Sequence, residues 1–305
     1  MAPNSLTLEV TTPQTLAQAK DGVTVIVVSF NSAHCMPALA RALSDWPHVV
    51  VVDNGSEDDS VAAAKRALPQ ARVVALAENL GFGAANNRGV AAARTPHVLL
   101  LNPDCELLPS DIAQLWAVAQ ADERVGLVGP QLMRDAQHPE LNYRMGLTDW
   151  PGRGPGAAGP LCVGFVCGAV MLLRVQAFLS VGGFDERFFL YYEDDDLCLR
   201  LRRAGHVLQI APEVRVMHRS RGSVRTRRPS RGEFLRGFHH AQSKLTFTQL
   251  HGSGDAAKRK RTTMLWATAL VLPLRVLLWS PKHVARLWGR WRGVWSWRGQ
   301  VNARP

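Results

Sequence analysis

The chain has 305 residues, 47% of them hydrophobic, and a formal net charge of +11. That is enough apolar chain for a substantial core, and it excludes an intrinsically disordered polymer. The cysteines Cys35, Cys105, Cys162, Cys167 and Cys198 are odd in number, scattered and without a C-x-x-C pair. This argues against a disulfide framework or a zinc site and points to a reducing, cytosolic setting.

Residues 1–22 lack the basic start and apolar run of a signal peptide and read as a leader before the first strand. From Val23 short β-rich runs alternate with helical stretches: VTVIVVSF, MPALARAL, HVVVVDNGS, DDSVAAAKRAL, ARVVALAENLG, AANNRGVAAAR and HVLLLNPDCEL. Continuous apolar strands separated by helices predict a parallel sheet covered on both faces, with ligands beyond the carboxyl ends of the strands. Polar residues gather there: Asn31, Asp53 with Asn54, Glu78 with Asn79, and Asn102 with Asp104. A Gly/Pro-rich stretch at 149–160 reads as a loop dividing this half from a second one. In the second half Leu197, Leu201 and Ala204 fall at helical spacing, so Glu193, Asp194, Asp195 and Asp196 form the opening turn of an amphipathic helix that Gly205 stops.

The candidate chemistry is ambiguous residue by residue. Asp104, ending a buried strand, suits a hard divalent cation, yet Asn-Pro-Asp is also good turn chemistry. Asp53 before Asn-Gly has the same two readings, ligand contact or turn. G-F-G-A at 81–84 lacks the full dinucleotide fingerprint, but its flexibility beside Asn86, Asn87 and Arg88 could wrap a polar ligand. One or two acids at a helix start complement its dipole, whereas four in a row repel one another. At least one is then held by an arginine, a metal or a substrate hydroxyl whose proton it takes, which makes it a candidate general base. His218 follows another strand-like run and reads either as a packing residue or as the completion of a site begun by Asp104.

Taken in order, VTVIVVSFN, VVVVDNGSEDDS, ENLGFGAANNRG, HVLLLNPDCEL, GFVCGAVMLLR, GGFDERFFLYYEDDDLCLRLRRAGH and His218 resemble the inverting family 2 glycosyltransferases. The likeness is greatest to the rhamnosyltransferase-like branch that builds bacterial cell-surface polysaccharides. The resemblance implies an α/β GT-A fold with a mainly parallel central sheet flanked by helices. The match covers roughly residues 23–223 and divides the body into a nucleotide-sugar-binding half at 23–125 and an acceptor-binding half at 126–250; a change of composition marks a basic, Trp-rich helical appendage at 251–305. It also implies a nucleoside-diphosphate sugar donor, with rhamnose favoured, a glycan or lipid-linked acceptor, and Mg²⁺ or Mn²⁺. By residue, Asp53 would contact the base, and Asn31, Asn79 and Asn86 would line the nucleotide pocket, with Asn54, Gly81 and Asn102 in the same donor-binding set. Asp104 matches the last acid of the family's D-x-D motif, whose leading acid is here Asn102. His218 is similar to a downstream histidine that completes the metal site. Asp194 matches the family's catalytic base, with Glu193 and Asp196 in support.

The excess charge belongs to the tail. After Asp255 the chain has no acid but eleven cations, Lys258 to Arg304; without them the cations equal the acids. The apolar stretch 262–280 approaches the roughly 20 residues of a membrane span, but Pro273 and a central Arg275, worth about 2.5 to 3.5 kcal/mol on insertion scales, oppose a simple span. An interfacial helix over 258–298 is expected. Trp266, Trp279, Trp288, Trp291, Trp295 and Trp297 would sit at headgroup depth, the cations on anionic lipid, and the protein on the inner face of the cell membrane. The competing reading is a helical pair that packs on the catalytic domain or joins copies of the chain into a homo-oligomer. A nucleic-acid binder is disfavoured by the neutral body and by acids at the strand ends, so no nucleic-acid partner is expected. A nucleotidyltransferase would share metal and phosphates but leave a base-like acid at 194 unexplained.

Overall fold

The structure, a computed structural model, describes residues 12–146, 156–219, 222–224 and 229–299. Residues 1–11 of the expected leader and most of the Gly/Pro-rich stretch at 149–160 lie outside the described residues. Helix α1 (Pro13–Gly22) is capped by Thr12, whose hydroxyl accepts from Thr15 N at 3.1 Å, and it seats Ala19 in the core. Part of the expected leader is therefore built into the domain.

Next come β1 (Val23–Ser29), α2 (Met36–Leu43), β2 (Val49–Asp53), α3 (Ser60–Ala67), β3 (Arg72–Ala75), α4 (Phe82–Ala92) and β4 (His97–Leu101). The four strands pair in parallel in the order β3-β2-β1-β4, and the apolar runs of β2 and β4 are buried from end to end. Gly89 lets α4 lie close to the sheet, since a Cβ there would stand 2.4 Å from Ile26 Cγ2.

The remaining elements of the sheet domain are β5 (Cys105–Glu106), α5 (Pro109–Gln120), β6 (Val125–Met133), β7 (Tyr143–Arg144), β8 (Leu161–Cys162), β9 (Phe165–Val166), β10 (Val170–Arg174), α6 (Val175–Ser180), α7 (Glu193–Arg203) and β11 (Val207–His218). Of these, β5, β6, β8, β10 and β11 extend the sheet to nine strands, in the order β3-β2-β1-β4-β10-β6-β11-β5 with β8 beside β11, while β7 and β9 pair with each other. The parallel sheet flanked by helices becomes mixed here, because β10 runs antiparallel between β4 and β6, and β5 and β8 run antiparallel to β11. Two registers position the site. Val170 opposite Leu101 brings the start of β10 to the end of β4, and His218 opposite Cys105 brings the end of β11 beside Asp104.

Helices α8 (Pro229–His251), α9 (Gly254–Leu277) and α10 (Pro281–Ser296) share a small core of Ala241, Leu245, Ala257, Met264, Val294 and Trp297. The helical appendage expected from 251 thus begins with α8. Close approach of α8 and α10 depends on glycine: a Cβ on Gly289 would lie 1.9 Å from Phe234 O, and one on Gly293 2.5 Å from Phe238 O. Trp297 is only 8% exposed and donates Nε1 to Thr246 Oγ1 at 3.3 Å, so it packs inside rather than at headgroup depth. Among the described residues no helix is long and apolar enough to cross a membrane.

The glycine seam gives a test. Gly289→Val should lower stability by about 2 to 3 kcal/mol, because the added carbons meet backbone that cannot rotate away. Gly254→Ala, in open space in the first turn of α9, should leave the thermal unfolding midpoint unchanged or slightly raised.

Candidate active site

The loops beyond β1 to β3 are woven together by the polar residues singled out in the sequence. Asn31 adopts a left-handed backbone (φ 52) and accepts from Glu57 N through Oδ1 at 2.8 Å. Asp53 accepts from Ser56 Oγ at 2.6 Å and Ser56 N at 3.0 Å, so its carboxylate organises the turn while keeping acceptor capacity for a ligand. Asn54 is buried and donates to Asn79 Oδ1 at 3.0 Å and Gly81 O at 3.1 Å; it holds the frame. Gly81 (φ 93) permits the close approach of the 188–192 segment, since a Cβ would stand 2.4 Å from Phe189 O. Asn86 departs from the expectation of a pocket-lining residue. It is 1% exposed and its amide donates back to Phe82 O at 3.0 Å, a bond within its own helix.

The Asp104 side is a compact polar cluster. Asp104 is buried; its Oδ2 accepts from Gly222 N and Ser223 N, both at 3.0 Å, whereas the buried Oδ1 has no hydrogen-bond partner. His218 Nε2 stands 3.9 Å from that oxygen, too far for a hydrogen bond, and its Nδ1 pairs with Glu140 Oε2 at 3.1 Å. Burial opposes charge on His218, but the Glu140 bond and the Asp104 and Glu140 carboxylates outweigh it and raise its pKa. An orphaned buried carboxylate oxygen facing an imidazole whose far nitrogen is fixed by a second carboxylate fits a hard divalent cation. Asn102 adds its backbone: its N–H donates to Ala169 O at 2.9 Å.

The acidic turn opens α7, and its members diverge because successive residues on a helix are about 100° apart. Glu193 is buried, and its Oε2 has no hydrogen-bond partner; burial, then Asp194, pushes its pKa well above the usual carboxylate range. Asp194 accepts from Gly168 N through Oδ2 at 3.1 Å and from Asp195 N through Oδ1 at 3.0 Å. Burial, then Asp195, raises it to about 7. Asp195 is ion-paired with Arg144, whose guanidinium lies 3.8 Å over the Phe165 ring. Asp196, expected beside Asp194, turns elsewhere. Two residues on from Asp194, it leaves the opposite side of the helix, is 1% exposed, and binds Arg200 Nε at 2.8 Å and His251 Nε2 at 2.6 Å. It anchors α7 to α8 through His251.

A short segment separates the two acidic centres. Ala169 O receives the Asn102 N–H, while the adjacent Gly168 N–H holds Asp194. In front of α7, Tyr191 (φ 69) and Tyr192 (φ 67) are both left-handed, a strain of order 1 to 3 kcal/mol each for such residues. Helix α8 holds them in place: His240 packs edge-on to both rings, Phe189 stacks on His239 at 4.3 Å, and Ser243 Oγ donates to Leu190 O at 2.9 Å. Glu140, Arg144, Gly168 and His251 carry no signal in the sequence, whereas Asp195 is visible there as a member of the acidic run.

The family described as Glycosyl transferase family 2 matches residues 24–181, and Glycosyl transferase family group 2 matches 107–296. The chain is 34% identical over 217 residues to an N-acetylglucosaminyl-diphospho-decaprenol L-rhamnosyltransferase of Mycobacterium tuberculosis, covering 60% of this chain and 70% of that one. It is 26% identical over 195 residues to the low-salt glycan biosynthesis hexosyltransferase Agl10 of Haloferax volcanii, covering 60% of this chain and 62% of the relative. Among solved structures, the mannosyltransferase PcManGT of Pyrobaculum calidifontis, in complex with GDP-Man and Mn²⁺, superposes with a TM-score of 0.53 at 17% identity. That superposition covers 90% of this chain and 87% of the other, and it bears on the fold alone.

The raised pKa of Asp194 has a thermodynamic signature. Between the ordinary value of 3.8 and about 7, the folded chain keeps a proton that the unfolded chain has released. Stability therefore falls as pH rises through that window. Asp194→Asn removes this effect, so its unfolding midpoint relative to wild type should move in the variant's favour from about pH 5 to about pH 8. A difference independent of pH would show that Asp194 titrates as an ordinary surface aspartate.

Proposed function

The chain belongs to glycosyl transferase family 2, and on that premise we propose that it moves rhamnose from a nucleoside-diphosphate donor to a sugar on a lipid-linked acceptor, inverting the anomeric centre. The observation that carries this reading is Asp194: a carboxylate held by two backbone N–H groups and raised to about 7, one short segment away from the Asp104–His218 pair. A base with a pKa near the working pH is both ionised enough to accept a proton and strong enough to take one. Asp194 would collect the proton of the attacking hydroxyl, while Gly168 N–H fixes one of its oxygens. Arg144 neutralises Asp195 and so limits repulsion at the base. Attack from the face opposite the diphosphate in a single displacement inverts the sugar.

Asp104, through its free Oδ1, and His218, through Nε2, would hold Mg²⁺ or Mn²⁺, with Glu140 orienting the imidazole. When bound, such an ion supplies positive charge against the departing diphosphate. Asp53, Asn31 and Asn79 remain the donor-side residues of this reading, and the frame built by Asn54 and Gly81 positions them.

The acceptor reading draws on the tail. The mycobacterial relative is named for a diphospho-decaprenol substrate. On this chain the second half of α9 exposes Trp266, Leu270, Leu274 and Leu277, followed by Trp279, which is 90% exposed. An apolar ridge of that kind, in a segment whose sequence carries eleven cations and no acid after Asp255, suits the inner face of the cell membrane, entered shallowly, since no described helix is long and apolar enough to span.

Asp194→Asn should retain donor binding and lose transfer by about 10²- to 10⁴-fold, the usual worth of general base catalysis, measured as nucleoside diphosphate released. Asp104→Asn should weaken donor binding in Mn²⁺ and have little effect in EDTA. Transfer by Asp194→Asn at the wild-type rate would end the base assignment. For the membrane, wild type should float with anionic vesicles, and Leu270→Glu with Trp279→Glu should float less; equal flotation would remove the ridge from the reading.

A further inference from the structure

Helices α8, α9 and α10 enclose a cavity of about 290 Å³ whose wall carries Arg275, Arg286, Arg290, His240, His283 and Val271. Its charge follows from the sequence, since no acid occurs after Asp255 and both α9 beyond that residue and α10 contribute only cations. The near carboxylate is Glu233 on α8. It binds Arg236 at 2.7 Å and pairs more loosely with Arg286 Nη1 at 3.9 Å, so this one carboxylate is shared between two arginines while Arg275 and Arg290 add further positive charge to the wall. Arg290 Nε is buried without a hydrogen-bond partner, and burial lowers the Arg290 pKa. His240 reports the same field: burial, then Lys244, Arg290 and Arg286, push it down to about 4, so it is neutral at ordinary pH. Cations crowded in a partly dry site destabilise the fold unless an anion enters.

The surroundings define which anion. On one side Val271 leads out to the exposed ridge of Leu270, Leu274, Leu278 and Trp279. On the other, His240 packs against Tyr191 and Tyr192, and Tyr192 is the cap residue directly before Glu193 and Asp194. An apolar lip, a cationic chamber and the acidic helix therefore follow one another in that order. The volume suits a headgroup, lying at the lower end of the roughly 300 to 1,000 Å³ typical of ligand pockets.

We propose that this cavity binds the diphosphate of a prenyl-diphosphate-linked acceptor, with Arg275, Arg286 and Arg290 on the phosphate oxygens and the α9 ridge on the first prenyl carbons. The acceptor sugar would then extend past the two tyrosines toward Asp194. This deepens the reading of the chain as a transferase acting on lipid-linked sugar and rests on it.

The test is direct binding of farnesyl diphosphate to the full chain in EDTA, which silences diphosphate binding through a metal at Asp104. Wild type should bind saturably, and Arg275→Gln with Arg286→Gln should weaken binding by about tenfold or more, the worth of a lost charge-assisted contact. Lys65→Gln with Arg94→Gln, the same charge change at exposed sites remote from the cavity, should bind as wild type does, and Arg275→Gln alone should show a smaller loss if the double variant folds poorly. Farnesol and inorganic pyrophosphate should each bind much more weakly than farnesyl diphosphate. Equal binding by wild type and the arginine variants overturns the proposal. So does pyrophosphate binding as tightly as farnesyl diphosphate, which would mark a free-anion site, or phosphatidylglycerol vesicles displacing the probe fully, which would mark a headgroup site. Arginine-dependent binding without any rhamnosyl transfer would leave this site standing and sink the functional reading instead.

Discussion

Four carboxylates within one turn of a half-buried helix cannot all keep their charge, and much of the structure around α7 relieves that repulsion. The helix itself separates them by rotation. Asp196 goes to the rear, where Arg200 and His251 neutralise it, and Asp195 goes to Arg144. Glu193 is buried without a partner for one oxygen and is pushed toward its protonated form. Asp194 is left with backbone N–H groups alone, an environment that stabilises its anion only partly against burial. The same crowding that would destabilise a plain helix start thus yields one carboxylate poised near neutrality.

That carboxylate is useful only because the sheet delivers it to the other acid. Strand β10 is inserted antiparallel between β4 and β6, so its first residues meet the end of β4. Ala169 and Gly168 then act as neighbouring contact points, one for the Asp104 loop and one for Asp194. On the far side, pairing of β11 with β5 sets His218 beside Asp104, and the 139–140 segment returns alongside β6 so that Glu140 reaches the imidazole. Except for the local return of 139–140 onto β6, these contacts join residues far apart in the chain.

The C-terminal helices are part of the same machine. Helix α8 carries His251 to Asp196, His239 and His240 to the aromatic loop, and Ser243 to Leu190, holding two strained tyrosines directly ahead of the acids. Helix α10 closes on α8 through glycines, which sets the cations of α10 against those of α9. The helices pack on the domain and leave an apolar, cationic surface exposed beyond it.

Short-range information in the chain determined the parallel strands, because buried runs such as VVVV and VLLL admit few other arrangements, and it determined the helical start at Glu193 and the segregation of charge into the tail. It also marked Asp104, His218 and Asp194, since each stands at the end or start of a regular element. Tertiary structure alone decided that Asp196 turns to Arg200 and His251 and that Asn86 binds its own helix. It also decided that Trp297 is buried and that Glu140, Arg144, Gly168 and His251 hold the site together. The division has a physical cause. Periodicity and turn chemistry act over a few residues and are written locally, whereas hydrogen bonds and ion pairs between loops depend on strand register and helix rotation, which exist only once the chain has folded.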